Sequence, residues 1–200
     1  KVVAPSSPSR VAATLREEIL NGTLAPGERI VQEDLAERFG ASRQPVRDAL
    51  RLLEGDGLVT LKANSGAWVS KLSESECDEA YLVRERLEPL LLSQSIPNLT
   101  AAHFKRLSDL VVEIEKTNDI ESFLRLDREF HLLSYAGAQA GMLSEFVERI
   151  WNTTQHYRRA FAKLNHFSNS EVTHMEHKLI LDGILRKDSQ QAESALEGHI

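Results

Sequence analysis

The sequence predicts a mainly α protein: an N-terminal winged helix-turn-helix followed by an antiparallel bundle of about six helices. Three observations predict it. Two short amphipathic helical runs are joined by Gly40-Ala41-Ser42, and two short apolar runs after Gly57 read as a hairpin. From Glu74 onward the apolar residues recur at helical spacing, with almost no strand signal.

The first element is an amphipathic helix in which Val11, Leu15 and Ile19 recur at four-residue spacing and Gly22 can end the run. The stretch 1–9, with Pro5 and Pro8 among small polar residues, reads as a flexible lead-in. Since the first residue is Lys1 rather than Met, a longer gene product is expected, and Ile200 directly after His199 leaves the C-terminus open. Ala25-Pro26-Gly27-Glu28 reads as a tight turn, and Glu33 to Phe39 as a helix with Leu35, Ala36 and Phe39 on its apolar face. Gly40 can adopt positive φ at that helix end, and Ser42 can cap the next helix, Arg43 to about Glu54. Pro45 falls in its first turn, where its missing N–H removes no helix bond.

That second helix divides by face. Val46, Leu50 and Leu53 point inward, whereas Arg43, Arg47 and Arg51 share the opposite face beside Gln44. A recognition helix offers its N-terminal residues to base edges: arginine suits guanine or phosphate, and glutamine suits adenine. The same pattern also describes an ordinary solvated helix, and the segment after Gly57 favours the recognition helix. Leu58 to Leu61, a turn at 63–66 and a returning strand from Ala67 to Ser70 form a wing, with Lys62, Asn64, Ser65 and Gly66 at its tip.

Bulk properties exclude several classes. With 200 residues and 42% hydrophobic content, the chain can build two small cores, and no apolar run approaches bilayer length. A lone cysteine, Cys77, suits the cytoplasm, and its acidic neighbours Glu76 and Asp78 disfavour a catalytic thiolate. The net charge of −6 argues against nucleic acid only until its distribution is read. Residues 1–71 carry ten basic and nine acidic side chains, whereas the remainder carries fourteen and twenty-one. A local basic face suffices for phosphate contact.

The run Leu35-Ala36-Glu37-Arg38-Phe39-Gly40-Ala41-Ser42-Arg43-Gln44-Pro45-Val46-Arg47-Asp48-Ala49-Leu50, preceded by Leu24-Ala25-Pro26-Gly27 and followed by Leu53-Glu54-Gly55-Asp56-Gly57-Leu58-Val59, closely resembles the DNA-binding domain of GntR-family regulators. The resemblance spans residues 10–71 and implies operator contacts from Arg43, Arg47 and the wing glycine Gly66, with Ser42 and Gln44 beside them. Gln44 stands where many members carry Thr, and Glu33 where some place a DNA-contacting Arg, so no relative's operator can be borrowed.

The helices expected after residue 74 are Glu74 to Ser95, Thr100 to Thr117, Ile120 to Ala136, Met142 to Leu164, Ser170 to Lys187, and Ser189 to the end, with Thr100 as an N-cap. Asp127 and His131 stand four residues apart, hence on one helix face, close enough to share an ion or simply to pair. Together with His177 and His199 they form a pattern similar to the FCD ligand-binding domain of the FadR subfamily, which residues 74–200 resemble more loosely. That resemblance implies a divalent metal held by Asp127, His131, His177 and His199, with His174 the chief rival ligand and His103, His156 and His166 left as surface or packing residues. Three imidazoles and a carboxylate suit Zn, and also Ni, Mn or Fe. An open coordination position would favour an organic-acid effector, and Arg84 resembles an arginine that faces the effector in relatives; its other reading is a surface ion pair with Glu88.

The resulting expectation is a cytoplasmic homodimeric transcriptional regulator, a repressor, that binds double-stranded operator DNA under control of a small carboxylate effector, with no membrane partner and no enzymatic activity. The alternatives are a direct metal sensor and, against the DNA-binding head, a metal-dependent enzyme.

Overall fold

In the computed structural model, which describes residues 7–63, 66–165 and 171–200, the chain divides into two compact units. The first comprises residues 1–73 with Arg149–His156, and the second residues 74–148 and 157–200.

The first unit opens with α1, Pro8–Leu20, whose first turn is capped by Ser7: the hydroxyl oxygen accepts from the Arg10 N–H. The expected lead-in is corrected here, because Pro8 and Ser9 are helical; proline at the first helical position loses no hydrogen bond. A two-residue strand, β1 (Arg29–Ile30), precedes α2 (Gln32–Phe39) and α3 (Arg43–Gly55). The strands β2 (Val59–Lys62) and β3 (Gly66–Val69) complete a three-stranded antiparallel sheet in the order β1-β3-β2. Leu61 pairs with Ala67 and Lys62 with Gly66, the register of a wing hairpin. Strand β1 pairs Arg29 with Trp68 and Ile30 with Ala67, and it is too short to show any alternation in the sequence.

Gly40 ends α2 at φ 57°, a left-handed conformation that releases the chain toward α3. Val11, Leu15 and Ile19 of α1 meet Val46, Leu50 and Leu53 of α3, together with Leu58, Val59, Ala67 and Val69 of the hairpin, in one buried core. That core fixes α3, so its opposite face carries Arg43, Arg47 and Arg51 into solvent.

The second unit is helical. It contains α4 (Glu74–Ser95), a short 3₁₀ turn at Ile96–Asn98, α5 (Ala101–Lys116), α6 (Ile120–Ser134), α7 (Met142–Asn165) apart from Arg149–His156, α8 (Glu171–Arg186) and α9 (Ser189–His199). Thr100 caps α5 through a reciprocal pair of hydrogen bonds with His103, whose Nδ1 accepts from the Thr100 N–H at 3.2 Å. Asp119 caps α6 and Asp188 caps α9. A tight turn joins α8 to α9, with Lys187 at φ 56° and the Asp188 N–H donating to the Gly183 carbonyl at 2.9 Å. Helix α9 packs along both α8, to which that turn joins it, and the sequence-distant α4. Among the described residues, no helix is long and apolar enough to cross a membrane.

Candidate metal centre and recognition helix

Helix α6 is amphipathic, and its buried face carries Phe123, Leu124, Phe130 and, one turn apart, Asp127 and His131. His177 is buried on α8, and His199 closes α9. Asp127, His131, His177 and His199 each offer one ligand atom, and these atoms all lie within 4.8 Å of one another. His174, one turn before His177, does not join this group, and His166 lies outside the described residues.

The outer edges of two rings fix where their protons sit. His177 Nδ1 lies 2.8 Å from the Thr173 carbonyl oxygen, which can only accept, so Nδ1 holds the hydrogen and Nε2 faces inward. His199 Nδ1 likewise donates to Glu176 Oε2 at 2.9 Å. Inward, His177 Nε2 stands 3.0 Å from Asp127 Oδ1, and His131 Nε2 stands 3.2 Å from His199 Nε2. At the His177–Asp127 contact an acceptor nitrogen thus faces an acceptor oxygen, an arrangement that asks for a proton or a cation between them.

The electrostatics agree with that demand. Burial pushes the His131 imidazole well below its ordinary pKa, and burial likewise lowers that of His199, so both rings are neutral. Burial opposes the Asp127 charge, but the Arg158 guanidinium and the neighbouring imidazoles hold its carboxyl well below the usual carboxylate range. Neutral imidazoles and an ionised carboxylate are the states in which these side chains ligate metals. The residues therefore fit a borderline divalent ion.

A cavity of about 390 Å³ adjoins the cluster, lined by Asp127, His131 and His199 and by Tyr81, Arg84, Tyr157 and Arg158 among others. Arg84 corrects one sequence reading: its pair with Glu88 is buried, not on the surface, with Nε donating to Oε1 at 2.5 Å and side chains 4% and 0% exposed. Glu88 Oε2 also accepts from the Tyr135 hydroxyl at 2.7 Å, and Arg84 lies over the Tyr81 ring. Cys77 sits on the cavity wall, and burial, with Asp78 beside it, raises its thiol above the ordinary value.

Sequence reasoning missed Arg158, which pairs with Asp127 Oδ2, and Glu176, which holds His199. Arg158 carries no local signal, because its partner lies thirty-one positions away on another helix. Glu176 stands beside His177 in sequence, yet its partner is 23 residues on.

In the first unit, Ser42, Arg43, Gln44 and Arg47 are all exposed on the N-terminal half of α3. Ser42 occupies the N-cap position without a side-chain capping bond. Gln44 Nε2 donates to both oxygens of Asp48, at 3.0 and 3.1 Å, and Arg43 pairs with Glu33 at 3.2 Å. Gly66 begins β3 at φ 122°, a conformation that disfavours any side chain. The tip residues Asn64 and Ser65 lie outside the described residues.

Comparison with known proteins agrees with both halves. Residues 8–69 match the bacterial regulatory proteins of the gntR family, and residues 79–200 match the FCD domain. The chain is 32% identical over 192 residues to the uncharacterized HTH-type transcriptional regulator YdhC of Bacillus subtilis, covering 92% of this chain and 84% of that protein. It is 24% identical over 202 residues to the HTH-type transcriptional repressor RspR of Escherichia coli, covering 98% and 87%. The E. coli McbR/YncC structure superposes with a TM-score of 0.83 at 23% identity, covering 97% of this chain and 93% of that one, a likeness of fold. With a GntR helix-turn-helix ahead of an FCD domain, the chain belongs to the GntR family of transcriptional regulators, in the FadR-type architecture, and not to a family of enzymes.

Proposed function

We propose that this regulator binds operator DNA as a homodimer through α3 and the wing, and that a small carboxylate effector controls it from a metal site in the helical unit. Asp127, His131, His177 and His199 are the metal ligands in this reading, and Arg84 helps to hold the effector. The observation that carries it is the convergence of four ligand atoms within 4.8 Å beside a 390 Å³ cavity. Three imidazoles and one carboxylate leave coordination positions for effector oxygens, and zinc heads the suitable ions. Such an ion would supply Lewis-acid attraction for an anionic oxygen. The chain's own groups hold it in place, with Thr173 and Glu176 fixing two of the rings.

The DNA-binding assignment is supported by the exposed Ser42, Arg43, Gln44 and Arg47 on a helix whose other face is core. Effector binding shifts the packing of α4, α6, α8 and α9 and thereby the operator affinity of the dimer, a coupling that runs equally in both directions. The effector relieves repression in this reading; RspR is itself named a repressor.

Three measurements test the reading. Arg47→Ala should fold normally yet lose specific operator binding in a gel shift. His177→Ala should lose stoichiometric metal, and a variant that keeps it removes His177 from the ligand set. A direct metal sensor would respond to metal alone, so operator affinity is titrated with metal first and with organic acids afterwards.

A further inference from the structure

We propose that the cavity beside the metal cluster takes a carboxylate ligand with an apolar, ring-sized body, which packs against Phe123, Leu124, Phe161 and Ala162. The inference rests on the metal reading, which gives the carboxylate to the ion, and adds what the rest of the ligand is made of.

The cavity wall changes character along its length. On α6 the wall carries His131 and Asp127 at one end, and one turn nearer the helix N-terminus it becomes Phe123 and Leu124. Helix α7 repeats that order. Arg158 pairs with Asp127 and Arg159 with Glu121, so the two helices run antiparallel here. Phe161 and Ala162 therefore come level with Phe123 and Leu124. Arg84 belongs with the polar end, because Glu88 bridges it to the Tyr135 hydroxyl, one turn beyond His131. The ligand cluster and the apolar wall thus stand one helical turn apart, about 5.4 Å, which is the reach from a carboxylate to the ring it is attached to.

The apolar end decides the chemistry of the body. Its four side chains carry no polar atom, so a ligand hydroxyl set against them loses water and gains nothing in return. An apolar body has no such loss. Phe161 lines the cavity yet is 54% exposed, whereas Phe123, Leu124 and Ala162 are 1–2% exposed. A ring seated there covers the open face of Phe161, and that removal of apolar surface from water favours binding. Two phenylalanines on facing helices also offer edge-to-face or offset packing to an aromatic ring. Asp78 shares the wall but is exposed, so a hydroxyl reaching it exchanges one hydrogen bond to water for another. A cavity of about 390 Å³ is small for a ligand site and suits a single ring.

The test uses the full chain loaded with Zn²⁺ and three monocarboxylate probes: acetate, which has no body, benzoate, and shikimate, whose ring of the same size bears hydroxyls. Calorimetry should give benzoate an affinity at least about tenfold above both others, with a more negative heat-capacity change than acetate. Phe161→Ala should take up Zn²⁺ at the same stoichiometry and bring benzoate to within about threefold of acetate. Phe161→Leu, which keeps an apolar side chain, should retain most of the preference and guards against a general loss of packing. Zinc-loaded wild type that binds shikimate or acetate as tightly as benzoate overturns this inference and leaves the metal reading standing; so does a Phe161→Ala chain that keeps the full preference. Wild type that takes up no zinc overturns both.

Discussion

His177 Nε2 and Asp127 Oδ1 face each other across 3.0 Å, while the other nitrogen of the same ring donates to the Thr173 carbonyl. A neutral His177 with that tautomer points a lone pair at a carboxylate, so a proton or a cation belongs between them. Metal uptake then displaces a proton, and affinity should fall as the pH falls, because protons and metal compete for one position. At a free zinc concentration of about a hundred times Kd, the ion should add about 2.7 kcal/mol of stability. Thermal unfolding with zinc and with chelator measures this, and Asp127→Asn or His177→Ala should erase the difference. A stability unmoved by zinc in the wild type would remove the metal from the account.

The buried pair on α4 makes a separate prediction about stability. Glu88 accepts from both Arg84 and Tyr135, and all three side chains are buried. Burial and the Glu88 charge together hold the Tyr135 hydroxyl well above its ordinary pKa, so it remains a donor. Glu88→Ala would strand a guanidinium in the interior, at a cost of about 3–5 kcal/mol. Glu88→Gln keeps an acceptor oxygen for Arg84 and sets its amide N–H against the Tyr135 hydroxyl, which can turn to accept, so it should cost less. Denaturant unfolding of the two variants orders these outcomes, and equal costs would contradict the charge argument.

The range of each interaction decides how much of it is legible in the sequence. Helices α5 to α9 end within two residues of the expected bounds, because capping residues such as Thr100 and amphipathic spacing are local signals. Strand β1 is invisible to such signals, since two residues carry no period and their pairing with β3 is set by tertiary contact. Asp127 and His131 share a helix turn and are legible from spacing. Joining His177 and His199 to them needs the family resemblance, because α8 and α9 contribute from far along the chain. Arg158 and Glu176 escape for the same reason. Arg84 admits both a surface pair and an effector contact from sequence, since i, i+4 spacing with Glu88 is silent about burial.

On α3, the exposed arginines differ in how they are held. Arg43 pairs with Glu33 at 3.2 Å, both side chains being largely exposed. Such a pair contributes little to stability but partly neutralises a cation at the end of the helix proposed to face DNA. Glu33→Ala should therefore leave stability within about 0.5 kcal/mol while raising affinity for DNA, most clearly at low salt. Arg47→Ala should cost about 1–3 kcal/mol of operator binding if it reads a base. Fluorescence anisotropy across a salt series separates the two, since a lost phosphate contact lowers the salt slope and a lost base contact relaxes specificity.

The closeness of α8 and α9 yields the last prediction. A Cβ built on Gly183 would stand 2.8 Å from the Ala192 nitrogen and 3.0 Å from its Cα, both backbone atoms that cannot rotate away. Gly183→Ala must push the two helices apart, costing about 1–3 kcal/mol as overpacking does. Because α9 carries His199 and α8 carries His177, the same displacement separates two of the proposed ligands. Zinc affinity should fall together with the melting temperature. Gly198→Ala is the matched control: it lies on α9 next to His199, nothing stands within 4 Å of its Cβ position, and alanine favours the helix by up to about 1 kcal/mol. It should leave zinc binding intact and stability equal or higher. If Gly183→Ala melts lower but binds zinc as tightly as wild type, the α8–α9 spacing does not govern the cluster.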